Sequence, residues 1–256
     1  MPEIEILFKF KPMNTTEDLI RFIRMIRKNQ IYYPTYKELN DPLESCGYIV
    51  EESGYAGKSI CQSADMEDKF VKREKLKYRV LSLTEDCFSP CMWTHYTNEY
   101  KGVCIGYWRK NNNVFSNAKP LSYIQDSIVS VKANGYGIVN DEDLDEELRN
   151  SFFYKNMDWK YEKEWRIVSS QKGEFFQYKQ NDVACIIFGN QLDDILIQII
   201  KDELEKKYSN IHMYRVCIGY RSFGINILPL SYEIKYDGSD TPFIHSVDEL
   251  IKDIEQ

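Results

Sequence analysis

The chain has 256 residues, enough for one substantial core, with 43% hydrophobic and 29% charged residues; these are values of a folded globular protein, not a disordered one. Its formal net charge is −7, which opposes nonspecific binding to phosphate backbones, since those are held by excess Lys and Arg. Met1 to Phe10 carries no basic-then-apolar leader, and no apolar run approaches the roughly 18 residues of a membrane helix, so a cytoplasmic protein with no membrane partner is expected.

In chain order, Ile4 to Phe10 alternates apolar and polar residues and reads as a strand that Lys11-Pro12 breaks. Thr15 with Asp18 forms a capping-box-like start. The helix that follows places Leu19, Ile23 and Ile26 on one face and a basic patch, Arg24, Arg27 and Lys28, mostly elsewhere. Ile31-Tyr32-Tyr33 is a second strand ending at Pro34, and Asn40-Asp41-Pro42 has the chemistry of a turn. Residues 45–79 are polar and irregular, with a charged helix expected from Met66 to Tyr78.

Val80 to Thr84 is a short strand, and Ser89-Pro90 supplies an N-cap and a first-turn proline for a helix through Tyr96. Strands are expected at Val103 to Trp108, Ile128 to Val131 and Trp165 to Ser169, and a helix at Asp141 to Tyr154. Val183 to Phe188 is almost wholly apolar, the mark of a strand covered on both faces. With the amphipathic helix from Leu192 to Leu204 and the strand His212 to Ile218, it implies a parallel crossover. A short terminal helix is expected at Val247 to Ile254. No internal repeat or low-complexity linker divides the chain, so the expected fold is a single α+β domain over 1–256, a mixed sheet with flanking helices.

Seven Cys follow no disulfide framework, which fits reduced thiols. Cys87, Cys91 and His95 are four apart, but Pro90 interrupts the first interval and no second ligand pair accompanies them, so no metal site is expected. Three clusters carry chemistry at the ends of elements, where sites are built. In Tyr161-Glu162-Lys163-Glu164-Trp165-Arg166, strand alternation puts Glu162, Glu164 and Arg166 on one face, with Arg166 able to hold a carboxylate ionised. Cys91-Met92-Trp93-Thr94-His95-Tyr96 offers His95 and Tyr96 as pocket-lining groups beside Trp93. Asn40-Asp41-Pro42-Leu43-Glu44 offers Asn40, Asp41 and Glu44. The sequence has no phosphate-binding Gly-rich loop, nucleophile elbow or zinc-peptidase motif.

Taken with Leu7-Phe8-Lys9-Phe10, Ile31-Tyr32-Tyr33, Leu81-Ser82-Leu83-Thr84, Lys101-Gly102-Val103-Cys104-Ile105 and Ile186-Ile187-Phe188-Gly189, these clusters resemble, in order and spacing, the bacterial family catalogued as domain of unknown function 2971. Leu43 stands where that family has an aromatic, and Glu99-Tyr100 where an Asn-His-like pair is common. The resemblance implies a cytosolic setting and, for some members, a defence or toxin system. At fold level the layout is also similar to ADP-ribosyltransferases, whose sheet is split. That analogy puts Lys9 near phosphate, Tyr32 or Tyr33 against nicotinamide, Glu164 as the catalytic acid residue and Glu162 as its orienting partner. The Ser-Thr-Ser or His motif of that layout is missing. The expected activity is therefore glycosyl transfer on NAD or another nucleotide, with no cofactor required, NAD as substrate, and a protein or nucleic-acid target unspecified. The rival expectations are a metal-independent nuclease-like toxin using His95, and a noncatalytic module binding a ligand or partner through its aromatics.

Overall fold

A computed structural model describes residues 4–41, 48–53, 72–110, 112–125, 129–134, 141–218, 224–232 and 241–256. The elements are β1 (Ile6–Pro12), α1 (Thr16–Lys28), β2 (Gln30–Tyr32), β3 (Tyr48–Ser53), β4 (Arg79–Thr84), α2 (Pro90–Tyr96), β5 (Gly102–Trp108), β6 (Lys119–Pro120), β7 (Ser122–Ile124) and β8 (Val129–Asn134). They continue with α3 (Asp141–Ser151), β9 (Tyr154–Asn156), β10 (Glu164–Ser169), β11 (Phe175–Gln177), β12 (Val183–Phe188), α4 (Asp194–Glu205), β13 (His212–Ile218), β14 (Ile225–Pro229) and α5 (Val247–Ile254).

Eight strands form one mixed sheet in the order β14-β13-β12-β5-β1-β4-β10-β6, which makes the fold α+β. β12 is buried along its whole length and pairs parallel with β13, so α4 is the crossover expected from the sequence. Short two-stranded pairs, β2 with β11, β3 with β8 and β7 with β9, lie outside the main sheet. Both faces of the sheet are covered. Leu7, Leu83 and Ile105 pack with Phe22, Met25 and Ile26 of α1 and with Ile197 and Ile200 of α4. Phe8, Phe10 and Cys104 pack on the other face with Met92 and Trp93 of α2 and Leu250 of α5.

α1 begins as its sequence dictates. The Thr15 side chain accepts from the Asp18 amide while Asp18 accepts from the Thr15 amide, which satisfies two orphan donors of the first turn. Its buried stripe is Phe22, Met25 and Ile26 with Leu19 packed alongside, shifted from the stripe through Ile23. Asn29 closes the helix in the left-handed conformation, at φ 50°.

Several sequence expectations move. β1 does not break at Lys11-Pro12 but runs through both, pairing Lys11 with Val103 and Pro12 with Gly102 of β5. The stretch expected to be irregular after residue 45 contains β3, paired in parallel with β8; residues 72–75 of the helix expected at Met66 to Tyr78 are helical, and its first six residues lie outside the described ones. The helix expected to reach Tyr154 stops at Ser151, because Tyr154–Asn156 leaves to pair with β7.

The feature that makes a site is a splay in the sheet. β1 pairs with β5 over seven residues, from Ile6↔Trp108 to Pro12↔Gly102, and β10 pairs with β4 from Glu164↔Thr84 to Ser169↔Arg79. Between β1 and β4, only Phe8↔Thr84 is in register. Beyond it the two halves part. Lys9 Nζ donates to the Ser82 carbonyl across the opening at 2.7 Å, supplying a donor that a neighbouring strand would otherwise provide.

Candidate functional site

The opening is a cleft of about 600 Å³. β1 gives it Lys9 and Lys11, β4 gives Ser82 and Thr84, and α2 with the turn after it gives His95, Tyr96, Asn98 and Glu99. Lys155, Glu162 and Glu164 line its inner wall, and Asn40 its rim.

That inner wall is a buried charge network. Exposure is 6% for Lys155, 2% for Glu162, 5% for Glu164 and 1% for Arg166, so each charge must be answered by another. Arg166 grips Glu164 with two donors, Nε to Oε1 at 2.7 Å and Nη2 to Oε2 at 3.1 Å, and turns Nη1 to the Phe152 carbonyl at 2.8 Å. Lys155 Nζ bridges both acids, at 2.6 Å to Glu162 Oε2 and 2.9 Å to Glu164 Oε2. Tyr96 donates its hydroxyl to Glu162 Oε1. The Glu164 amide donates to the Tyr123 hydroxyl at 2.7 Å, and Thr84 Oγ1 donates to the Glu162 carbonyl at 2.6 Å.

Local backbone explains how two residues two apart reach one wall. Glu162 ends a 3-10 turn, and Lys163 at φ 43° in the left-handed region reverses the chain before β10 begins. Lys163 is thrown outward, to Asp86 at 2.9 Å, and Trp165 points away to donate Nε1 to Glu85 at 2.8 Å. Glu164 and Arg166 then share the opposite side of β10 by strand alternation.

The two acids are pushed in opposite directions. Burial drives the Glu164 carboxyl upward, but Arg166 and Lys155 overwhelm it with help from the Ser82 hydroxyl, and the net result is a drop to about 2. Glu162 is raised above the ordinary carboxylate range, chiefly by burial and also by the charge of Glu164, with Lys155 opposing. The wall thus pairs a permanently ionised carboxylate with one that holds a proton more readily, the arrangement in which two acids take different roles. Lys9 is lowered to about 7 by burial and by Lys11, with Glu164 and Glu162 opposing.

Lys9 makes folding pH-dependent with a definite sign. Its unfolded value of 10.5 lies above its folded one, so between pH 7 and 10.5 the unfolded chain holds more protons and stability rises with pH. Between pH 7 and pH 9 the urea midpoint of wild type is expected to rise relative to that of Lys9→Met. An identical slope in both proteins would show that Lys9 is protonated in the fold.

The remaining sequence-selected residues are placed as follows. His95 is exposed at the rim, with Nδ1 3.1 Å from the Tyr161 hydroxyl. Trp93 is fully buried below the cleft; Nε1 donates to the Cys87 carbonyl at 2.8 Å and its ring meets Phe10 edge-on at 5.1 Å. Tyr33 is fully buried in the core, stacked on Phe176 at 3.9 Å, whereas Tyr32 lines a neighbouring cavity. Asp41 is buried and does not line the cleft. Glu44 lies outside the described residues. The structure therefore gathers Lys9, Asn40, His95, Tyr96, Glu162 and Glu164 around one cleft, with Arg166 buried behind Glu164, and leaves Trp93, Asp41 and the two tyrosines out of it. Sequence reasoning missed Lys155, Ser82, Thr84 and Tyr123.

Residues 92–167 match the model of a family described as protein of unknown function, DUF2971. The match runs from α2 into β10. It contains His95, Tyr96, Lys155, Glu162 and Glu164, and Arg166 behind them, so the stretch similar to DUF2971 contributes the charged inner wall of the cleft, while β1, β4 and the segment around Asn40 contribute the rest. No curated protein and no solved structure matches the chain.

Proposed function

We propose that the chain is an enzyme of glycosyl transfer that acts on NAD or a related nucleotide and breaks the bond between ribose C1′ and the base. The observation that carries this reading is the ionised Glu164 on the cleft wall, with Lys9 on the far side of the splay and Ser82 and Thr84 between them. As the C1′–N bond breaks, its electron pair leaves with the base and positive charge develops on the ribose, where a fixed carboxylate stabilises it. The incoming nucleophile, water or an acceptor hydroxyl, bonds to C1′ and gives its proton to Glu162. The raised affinity of Glu162 for a proton suits it to that role. Lys9 faces the ligand's phosphate, which would restore its charge. Among the described residues the ring of His95 meets the Tyr161 hydroxyl at the rim, apart from the charged wall. A toxin or defence setting rests on the family resemblance alone.

Incubation of purified protein with NAD, following nicotinamide release, tests the reading. Glu164→Gln is expected to reduce release about 100-fold, the scale on which removing one fixed electrostatic stabiliser acts. Glu162→Gln is expected to lose activity while keeping NAD affinity. Absence of release from NAD, NADP or other nucleotides by wild type, with or without candidate acceptors, would overturn it.

One observation favours a second reading, a noncatalytic binding module. Every carboxylate oxygen of the wall already accepts a hydrogen bond, Glu164 from Arg166 and Lys155, and Glu162 from Tyr96 and Lys155. On that reading the network is a rigid polar base for a bound ligand, and Glu164→Gln would alter binding but no turnover would exist to lose.

A further inference from the structure

A second cavity of about 620 Å³ lies between α1 and the β2–β11 pair, and it shares Lys11, Pro12 and Glu38 with the first cleft. α1 presents Glu17, Arg21, Arg24 and Lys28 to it, one residue per turn along a single stripe. The acids of this lining are already engaged. Glu17 pairs with Arg21 at 3.0 Å; Asp18 accepts from the Thr15 amide at 3.0 Å in the helix cap; Glu38 accepts from the Tyr32 hydroxyl and from the Thr35 amide at 2.8 Å. Among the described residues Lys11, Arg24 and Lys28 have no salt bridge; Asp18 and Glu38 keep their negative charge, so four cations face three acids and the lining is net positive by one.

Opposite the cations sits an aromatic platform. Phe175 is 53% exposed, an uncommon state for a ring of its size, and packs against Tyr32 with centroids 5.5 Å apart. Tyr32 is held in place by its bond to Glu38. Cations without ion-pair partners beside an exposed Phe175 and a half-buried Tyr32 describe a ligand with an anionic end and a flat apolar one, and the volume is that of one small molecule.

We propose that this cavity is a second binding site, for a phosphorylated nucleoside, with the phosphate on Lys11, Arg24 and Lys28 and the base against Phe175 and Tyr32. Phosphate recognises the guanidinium of Arg24 and the two ammonium groups, and every base has a face to stack on a ring. Because Lys11 borders both cavities, a nucleotide here lies next to whatever occupies the first cleft. The inference does not rest on glycosyl transfer: loss of nicotinamide release with nucleotide binding intact would remove that reading and leave this one.

Calorimetric titration of the full chain with ADP at low salt, with adenosine as the phosphate-free control, is the test. ADP is expected to bind at least about tenfold more tightly than adenosine, and the exposed-surface variant Arg24→Glu/Lys28→Glu to weaken ADP at least about tenfold. Phe175→Ala is expected to weaken it severalfold. Equal affinity for adenosine and ADP, or no effect of Arg24→Glu/Lys28→Glu, overturns the proposal. So does loss of ADP binding in Glu164→Gln alone, which would put the nucleotide in the first cleft.

Discussion

Arg166→Met is expected to destabilise the protein by about 3–5 kcal/mol at pH 7, the loss typical when one partner of a buried ion pair is removed. The side chain is 1% exposed and gives three donors to groups that are themselves almost wholly buried. Without it Glu164 keeps Lys155 as its neighbouring cation, but Lys155 already divides itself between two acids. The Phe152 carbonyl also loses a donor. For a chain of this length such a loss lowers the melting temperature by roughly 10 °C.

The pH dependence gives that result a signature of its own. Glu164 in the fold is depressed to about 2 from 4.5, so its stabilisation is fully present above pH 4.5 and disappears as pH falls toward 2. The deficit of Arg166→Met is therefore largest at neutral pH and narrows below pH 4.5. The double variant Arg166→Met/Glu164→Leu, which removes both charges, is expected to recover most of the loss, since apolar replacement of a whole buried pair is often close to neutral. Urea denaturation of the three proteins at pH 7 and pH 4 measures all of this. A single-variant loss below about 1 kcal/mol would mean the pair is solvated, and the ionised state of Glu164 would lose its cause.

Alternation and capping made much of this scaffold readable. The apolar–polar alternation of Ile4 to Phe10, Thr15 with Asp18 before an amphipathic run, and the apolar Val183 to Phe188 each carry a local signal strong enough to place an element, although β1 runs on through the Lys11-Pro12 expected to break it. The acidic segment could be read because its charges repeat every second residue, although Glu162 reaches the wall from a 3-10 turn and not from the strand. Lys155 carried no such signal. It sits next to the end of α3 in sequence, and only the fold-back of the chain through the Met157–Glu162 turn brings it onto two carboxylates. Tyr32 and Tyr33 show the opposite limit. Adjacent strand residues face opposite sides, and nothing local says which side is core; Tyr33 went to the core and Tyr32 to the second cavity. Ser82 was visible as the polar member of Leu81-Ser82-Leu83, but its use depends on β1 parting from β4, a nonlocal event.

Gly189→Ala is expected to destabilise the protein by about 3 kcal/mol, at the upper end of the usual range for overpacking, and to loosen the cleft's mouth. A methyl group there would lie 2.0 Å from the Tyr100 carbonyl oxygen and 3.1 Å from that of Gly102, both backbone atoms that cannot swing aside. Tyr100 is the last of three consecutive non-glycine residues in the left-handed region, Asn98 at φ 51°, Glu99 at 56° and Tyr100 at 67°. Each such residue costs about 1–2 kcal/mol, and the run is held by bonds from the Glu99 amide to the Thr94 carbonyl, the Tyr100 amide to the Trp93 carbonyl and the Gln191 amide to the Tyr100 carbonyl. Displacing that carbonyl breaks the last of these and lets the strained turn relax, carrying Asn98 and Glu99 away from the cleft they line. The amides of Glu99 and Tyr100 should then exchange with solvent faster than those of β12, while β12 itself keeps its protection. Unchanged exchange at both amides together with an unchanged melting temperature would show that the strand end accommodates a side chain and that the turn is not held by this contact.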